Sequence, residues 1–254
     1  MRTLPALDLH AHIEPAIAAH ELTALGAAVF AVTRSLGEAE AALRRNDPTT
    51  VWGVGCHPGL LSAQRDFSPN QFAGLLDATA FAGEVGLDGK SRVPMTTQLM
   101  TFWSVLEALR DKPRIATIHS YLATSKVLDL LAAAGLAGIV LHWWLGSPTE
   151  TARAVELGCY FSINAAMLRR DDILRSIPID RVFTETDHPF GDRTSRSIRQ
   201  PGAVSDVEMA LATMHGLSKE MIRIQLWRNL RTAVSELGVG AMLPKELRSH
   251  LAAV

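Results

Sequence analysis

A chain of 254 residues, 48% of them hydrophobic, carries enough apolar material for one large domain of the size that α/β barrels reach without dividing. Its 25 Lys and Arg stand against 26 Asp and Glu, a formal net charge of −1, which excludes a global basic field; any nucleic-acid contact must come from a local patch. The 2 cysteines, Cys56 and Cys159, exclude a disulfide framework and favour a reduced, cytoplasmic setting. No stretch reaches the ~20 apolar residues of a membrane span, and the first residues lack the charged-then-apolar layout of a signal peptide.

From the N-terminus onward, short apolar runs alternate with longer Ala- and Leu-rich amphipathic segments. The pattern predicts a strand over 4–9, a helix over 16–25, a strand over 27–33 and a helix over 36–45. Strands follow at 51–55 and 81–85, with a helix over 69–78 between them. The helix at 95–110 leads to a strand at 115–119, the helix at 125–134 to a strand at 138–142, and the helix at 148–157 to a strand at 159–163. A helix at 170–176 precedes the last strand, 181–185, and a final helix runs over 205–237 with a break near Gly216. Ser68-Pro69 and Ser147-Pro148 each read as an N-cap followed by proline in the first turn. Eight strand–helix alternations predict a single-domain parallel TIM (β/α)8 barrel over residues 1–254. A doubly wound sheet shows the same alternation, so the count of eight decides. Residues 186–205 form the longest stretch without a predicted element, and they follow the last strand, on the face where barrels build their sites.

Five ligand-type clusters close these strands: Asp8-Leu9-His10-Ala11-His12, Gly83-Glu84-Val85-Gly86-Leu87-Asp88, Ile118-His119-Ser120, Leu141-His142-Trp143 and Thr184-Glu185-Thr186-Asp187-His188-Pro189. His10 and His12, two apart on a strand, share a face, and Asp8 joins them one step earlier. Imidazole nitrogen and carboxylate oxygen suit zinc, manganese and related divalent ions rather than a thiolate site. His10, His12, Glu84, His119, His142 and Asp187 exceed what one tetrahedral ion needs and suffice for two ions sharing a carboxylate. Such a pair clamps the oxygens of an in-line phosphoryl displacement and makes hydroxide available near neutral pH. A lone histidine is more often a hydrogen-bonded core residue, and His20, His215 and His250, in helical segments, are read that way. His57, in Gly55-Cys56-His57-Pro58, sits at the rim. Ligating a metal, touching a phosphate and capping the strand are all open to it, and a rim position beside the site is favoured over ligation. Cys56 reads as a packed thiol.

Asp8-x-His10-x-His12, Gly55-x-His57-Pro58, Gly83 to Asp88, His119, Leu141-His142 and Glu185-Thr186-Asp187-x-Pro189 resemble, in order and spacing, the TatD family of metal-dependent deoxyribonucleases, within the amidohydrolase superfamily. The resemblance runs from residue 8 to about 190. Leu141-His142-Trp143-Trp144 and Gly158-Cys159-Tyr160-Phe161-Ser162-Ile163-Asn164 are most similar to the TatD-like nucleases of Qat antiphage systems. The family implies two divalent ions (Zn, Mn or Mg). One would be held by His10, His12, Glu84 and Asp187; Glu84 would bridge to a second held by His119 and His142. Asp187 would orient the attacking water and take its proton, which makes Asp187 and Glu84 the catalytic pair. The implied substrate is DNA, often a single strand cut from a free 3′ end. The chain departs from the family where Tyr121 replaces an arginine common two residues after the fifth-strand histidine, at Trp143-Trp144, and at His188.

Arg193, Arg196 and Arg199 in the long loop, with Arg169 and Arg170 after strand seven, are expected to grip phosphates, although Asp171, Asp172 and Asp192 dilute the patch. Strand neighbours face opposite ways, so at most one of Trp143 and Trp144 faces the site; Trp144 is the candidate to stack a base. His57 and Tyr121 complete the expected substrate contacts. Arg223, Trp227, Arg228 and Arg231 read as a helix face that covers the barrel. Two other functions stay open on sequence grounds. One is hydrolysis of a small amide, ester or lactone, chemistry the same metal site supports. The other is service as an assembly subunit of a defence complex whose partners guide the activity.

Overall fold

The computed structural model describes residues 3–192 and 198–254. Eight parallel strands run in order: β1 (Ala6–His12), β2 (Ala27–Val32), β3 (Thr50–Trp52), β4 (Phe81–Gly86), β5 (Ile115–His119), β6 (Ile139–His142), β7 (Tyr160–Ile163) and β8 (Val182–Thr184). Ladders join β1 to β3 and β4 to β8 in sequence order. The two ladders meet at a parallel bridge between Val54 and Ala82, and the Thr33 N–H donates to Gly83 O at 2.9 Å. On the far side the Asp187 N–H donates to His10 O and the His12 N–H to His188 O, both at 2.9 Å. The sheet therefore closes on itself as the (β/α)8 barrel that the alternation predicts.

Every residue of β2 and of β4 is buried, as expected for parallel strands covered on both faces. Phe30 and Phe81 meet edge to face inside, with centroids 5.1 Å apart. Outside, Val127, Leu128, Leu131 and Ala134 form the buried stripe of the helix Thr124–Ala134. Ser68 and Ser147 cap their helices as expected, accepting the Gln71 and Glu150 N–H groups. The last long segment breaks at Gly216 (φ +64°) into Ser205–His215 and Lys219–Leu237. Trp227 on the second of these is fully buried, and its indole N–H donates to Pro5 O at 2.9 Å, covering the entry to β1.

Two departures bear on the site. β1 runs on to His12 instead of ending at residue 9, with a register shift against β2 between Asp8 and Ala11. That irregularity re-aims the end of the strand. β3 stops at Trp52 rather than at Gly55, because the chain there changes neighbours: the Gly53 N–H donates to Ala31 O, and the Val54 N–H to Phe81 O. A Cβ on Gly55 would lie 1.8 Å from Thr33 O and 2.5 Å from Glu84 N, so only glycine fits this crossing. Helices at Leu61–Arg65 and Lys245–Leu251 were not predicted. Among the described residues no helix is long and apolar enough to cross a membrane.

Candidate metal centre and catalytic cleft

The C-terminal ends of the strands bring the expected residues to one place. β1 supplies His10 and His12, β4 supplies Glu84, β5 His119, β6 His142, and the turn after β8 Asp187. Glu84 sits between two groups. Its Oε2 lies 3.3 Å from His12 Nε2 and 3.8 Å from His10 Nε2, while Asp187 Oδ1 lies 3.4 and 3.7 Å from the same nitrogens. Its Oε1 lies 2.5 Å from His119 Nδ1 and 2.9 Å from His142 Nε2.

The donor set fits a divalent cation. Ligands about 2.1 Å from a tetrahedral ion stand roughly 3.4 Å apart, close to the spacing in the first group. Both His10 ring nitrogens, Glu84 Oε2 and Asp187 Oδ1 are buried without a hydrogen bond, a costly state for polar atoms that a cation would relieve. Burial alone would raise the Glu84 pKa, but His57, His119 and His142 hold it well below the usual carboxylate range. Burial opposes a charge on His12, yet Asp187 and Glu84 outweigh it and push its pKa up to about 9. Burial, with His142 stacked at 4.0 Å, drives His10 well down.

Buried neighbours hold these side chains in place. Glu185 accepts the Trp143 N–H at 3.0 Å, the Asn164 amide at 2.9 Å and the Ser162 hydroxyl, and it stands 3.7 Å from His142 Nδ1. A carboxylate so placed suits the orienting of a histidine that could hold an ion. Asp8 is satisfied by Thr186 N–H (2.9 Å), Thr186 hydroxyl (2.6 Å), Gly202 N–H (2.7 Å) and His10 N–H (3.3 Å). It therefore ties β1 to the turn after β8 and is not a ligand. Trp143 and Asp187 have φ of +40° and +46°, a region non-glycine residues rarely occupy and one that recurs at functional sites.

A cleft of ≈ 670 Å³ opens above the centre, lined by His57, Asp88, Tyr121, Trp143, Leu145 and Phe190 among others. His57 Nδ1 accepts the Gly59 N–H at 2.8 Å, so its proton sits on Nε2, which faces Glu84 Oε2 at 3.4 Å. Although His57, Glu84 and His119 are close enough to share an ion, this tautomer makes His57 a donor rather than a ligand. Tyr121 is 38% exposed at the rim.

Several substrate expectations need correcting. Trp144 is fully buried, with its indole N–H on Thr151 Oγ1 at 2.9 Å; the tryptophan lining the cleft is Trp143. Alternation fails here because the left-handed backbone at Trp143 is no longer strand-like. Arg169 is exposed and does not line the cleft. Arg170 is engaged with Gly146 O, and Arg199 is held by Asp192 and Asp206 at 2.9 and 2.7 Å. Arg193 and Arg196 lie outside the described residues. Sequence reasoning assigned no role to two residues, Glu185, which it named only within a cluster, and Arg34. Glu185 shares a face with Asp187 by the same two-residue rule that pairs His10 with His12. Arg34 follows β2 as His57 follows β3, and it lines the cleft.

A family model described as TatD related DNase matches residues 7–235. TATDN3 of Mus musculus is 27% identical over 176 residues, 66% of this chain and 59% of that protein, so the match spans less than two thirds of this relative. The protein tatdn3-B of Xenopus laevis is 25% identical over 244 residues, 87% of this chain and 91% of that one. Among solved structures, YJJV, a TatD homologue of Escherichia coli K12, superposes with a TM-score of 0.79 at 20% identity, covering 90% of this chain and 97% of that chain.

Proposed function

The chain belongs to the TatD-related DNase family, and from that premise we propose that it is a metal-dependent hydrolase that cleaves phosphodiester bonds of DNA at a two-ion centre. The observation that carries this reading is Glu84, whose two oxygens face separate groups of ligand-type residues. His10, His12, Glu84 and Asp187 would hold one ion, and His119 and His142 the other, with Glu84 spanning the two. Divalent ions of the zinc, manganese or magnesium class, when bound, supply Lewis acidity toward phosphate oxygens and lower the pKa of water.

The chain's own residues do the rest. Asp187, buried at the cleft floor with Oδ1 facing His12 but without a hydrogen bond, orients the attacking water and accepts its proton. His57, its pKa lowered by burial, stays neutral and donates Nε2–H to a phosphate oxygen. Tyr121 and Trp143, which line the cleft, offer apolar faces on which an unpaired nucleobase would stack. A free end or a single strand is the substrate form this reading favours, since stacking needs an unpaired base. A role in antiphage defence, alone or with partner subunits, rests on the motifs around Trp143 and Asn164 and is tested by co-purification from its native host.

The test of the activity is incubation with end-labelled single-stranded DNA, duplex DNA and RNA, beside a panel of small esters and lactones, across zinc, manganese and magnesium. Shortening of the DNA strand is expected. Turnover of the esters or lactones with intact DNA would overturn the reading.

A further inference from the structure

The space above the metal centre continues past Asp187. A second hollow of ≈ 420 Å³ adjoins the cleft, lined by Ile13, Ile17, Leu25, His188 and Pro189 among others. The two hollows share His12, Arg34 and Phe190. A strand that sets one phosphate beside His12 and Asp187 thus has apolar walls for a nucleoside on either side. Phe190, half-exposed and edge-on to His12 at 5.4 Å, stands between them.

Arg34 is the one Lys or Arg among the described residues that lines either hollow. Its guanidinium is one third exposed and lies between two carboxylates. Glu38 is 16% exposed; it accepts the Arg34 backbone N–H at 2.8 Å and stands 3.6 Å from Nε. Nε itself is buried with no hydrogen bond. Glu14, by contrast, is 77% exposed, lines the second hollow and accepts from Nη2 at 3.2 Å. An ion pair with so exposed a carboxylate is weak, whereas a guanidinium fork matches a phosphate with two parallel hydrogen bonds.

We infer that Arg34 binds the phosphate of the nucleotide next to the scissile bond, and that Glu14 is the internal competitor which that phosphate displaces. Glu38 keeps the arginine in place during the exchange. The inference rests on the nuclease reading and names the residue that extends its site beyond the metal centre.

The test is binding of a fluorescent single-stranded oligonucleotide to metal-free protein, followed by fluorescence anisotropy across salt, so no cleavage is needed. Arg34→Ala should weaken binding about 10-fold, the scale of a lost charge-assisted contact. It should also flatten the dependence of log K on log salt by roughly 0.7, the effect of one phosphate on a single strand. Glu14→Gln should act in the opposite direction and tighten binding. With metal restored, Arg34→Ala should raise KM for DNA more than it lowers kcat. If wild-type protein binds and cuts DNA while both variants bind as it does, or both bind more weakly, this inference is overturned and the nuclease reading survives. Wild-type protein that neither binds nor cuts DNA overturns both.

Discussion

Asp187 and His12 show how much of the chemistry is set by single side chains. Asp187→Asn preserves shape and removes the proposed base, so the fold should persist while DNA hydrolysis falls on the order of 10²–10⁴-fold. Activity within a few-fold of wild type, in gel assays with equal metal loading, would remove Asp187 from that role. His12 carries a proton in the metal-free protein up to about pH 9. Because that pKa is raised above the unfolded value, the proton's contribution to stability is complete below about pH 6.5 and is lost as pH rises through 9. Ligation needs the neutral ring, so cation affinity should move the other way and climb from pH 6 to 9, by up to about tenfold per unit. Zinc titrations against a competing chelator would show it, and a flat profile would contradict the placement of His12. Much of this scale is legible in the sequence. Period-two spacing pairs His10 with His12, and strand ends mark Glu84, His119 and His142. Trp144, expected at the cleft, is buried instead, because a positive φ at Trp143 lies beyond any alternation rule.

At the scale of elements, the strands and their crossings decide where those side chains point. All eight strands fall near their predicted places, because parallel strands buried on both faces leave continuous apolar runs. What the pattern does not carry is the shift in β1 after Asp8 and the change of neighbours after Trp52, both set by contacts distant in sequence. The helices at Leu61–Arg65 and Lys245–Leu251 are too short to show a helical period. Gly55 belongs to this scale, since it lies where β2, the end of β3 and β4 converge. Gly55→Ala would drive a methyl group into Thr33 O and Glu84 N, two backbone atoms that cannot move aside. Soluble protein with a lower melting temperature and reduced metal content is expected; a variant that matches wild type in both would show the crossing to be looser than it is drawn.

For the whole molecule, the centre exists only when the ring is closed, since His10 and Asp187 are far apart in sequence and are joined by the contact between β1 and the end of β8. Cations that bind the closed barrel and not the unfolded chain add stability by mass action, about 2.7 kcal/mol at 100 times Kd for one site. For a chain of this size that is roughly a 5–10 °C rise in Tm. Scanning calorimetry with and without a chelator measures it, and an unchanged Tm would speak against a site built by folding. The barrel was readable from the count of strand–helix units. The proposed substrate path was less so, because it depends on how firmly each arginine is engaged: Arg199 is held by two aspartates, while Arg34, which lines the cleft, is paired with Glu38 and the largely exposed Glu14. The most direct test of the two-ion centre is elemental analysis of reconstituted wild-type protein beside Glu84→Ala. Two ions per wild-type chain and fewer in the variant, with turnover abolished, are predicted. Equal metal content in the two proteins would contradict the account.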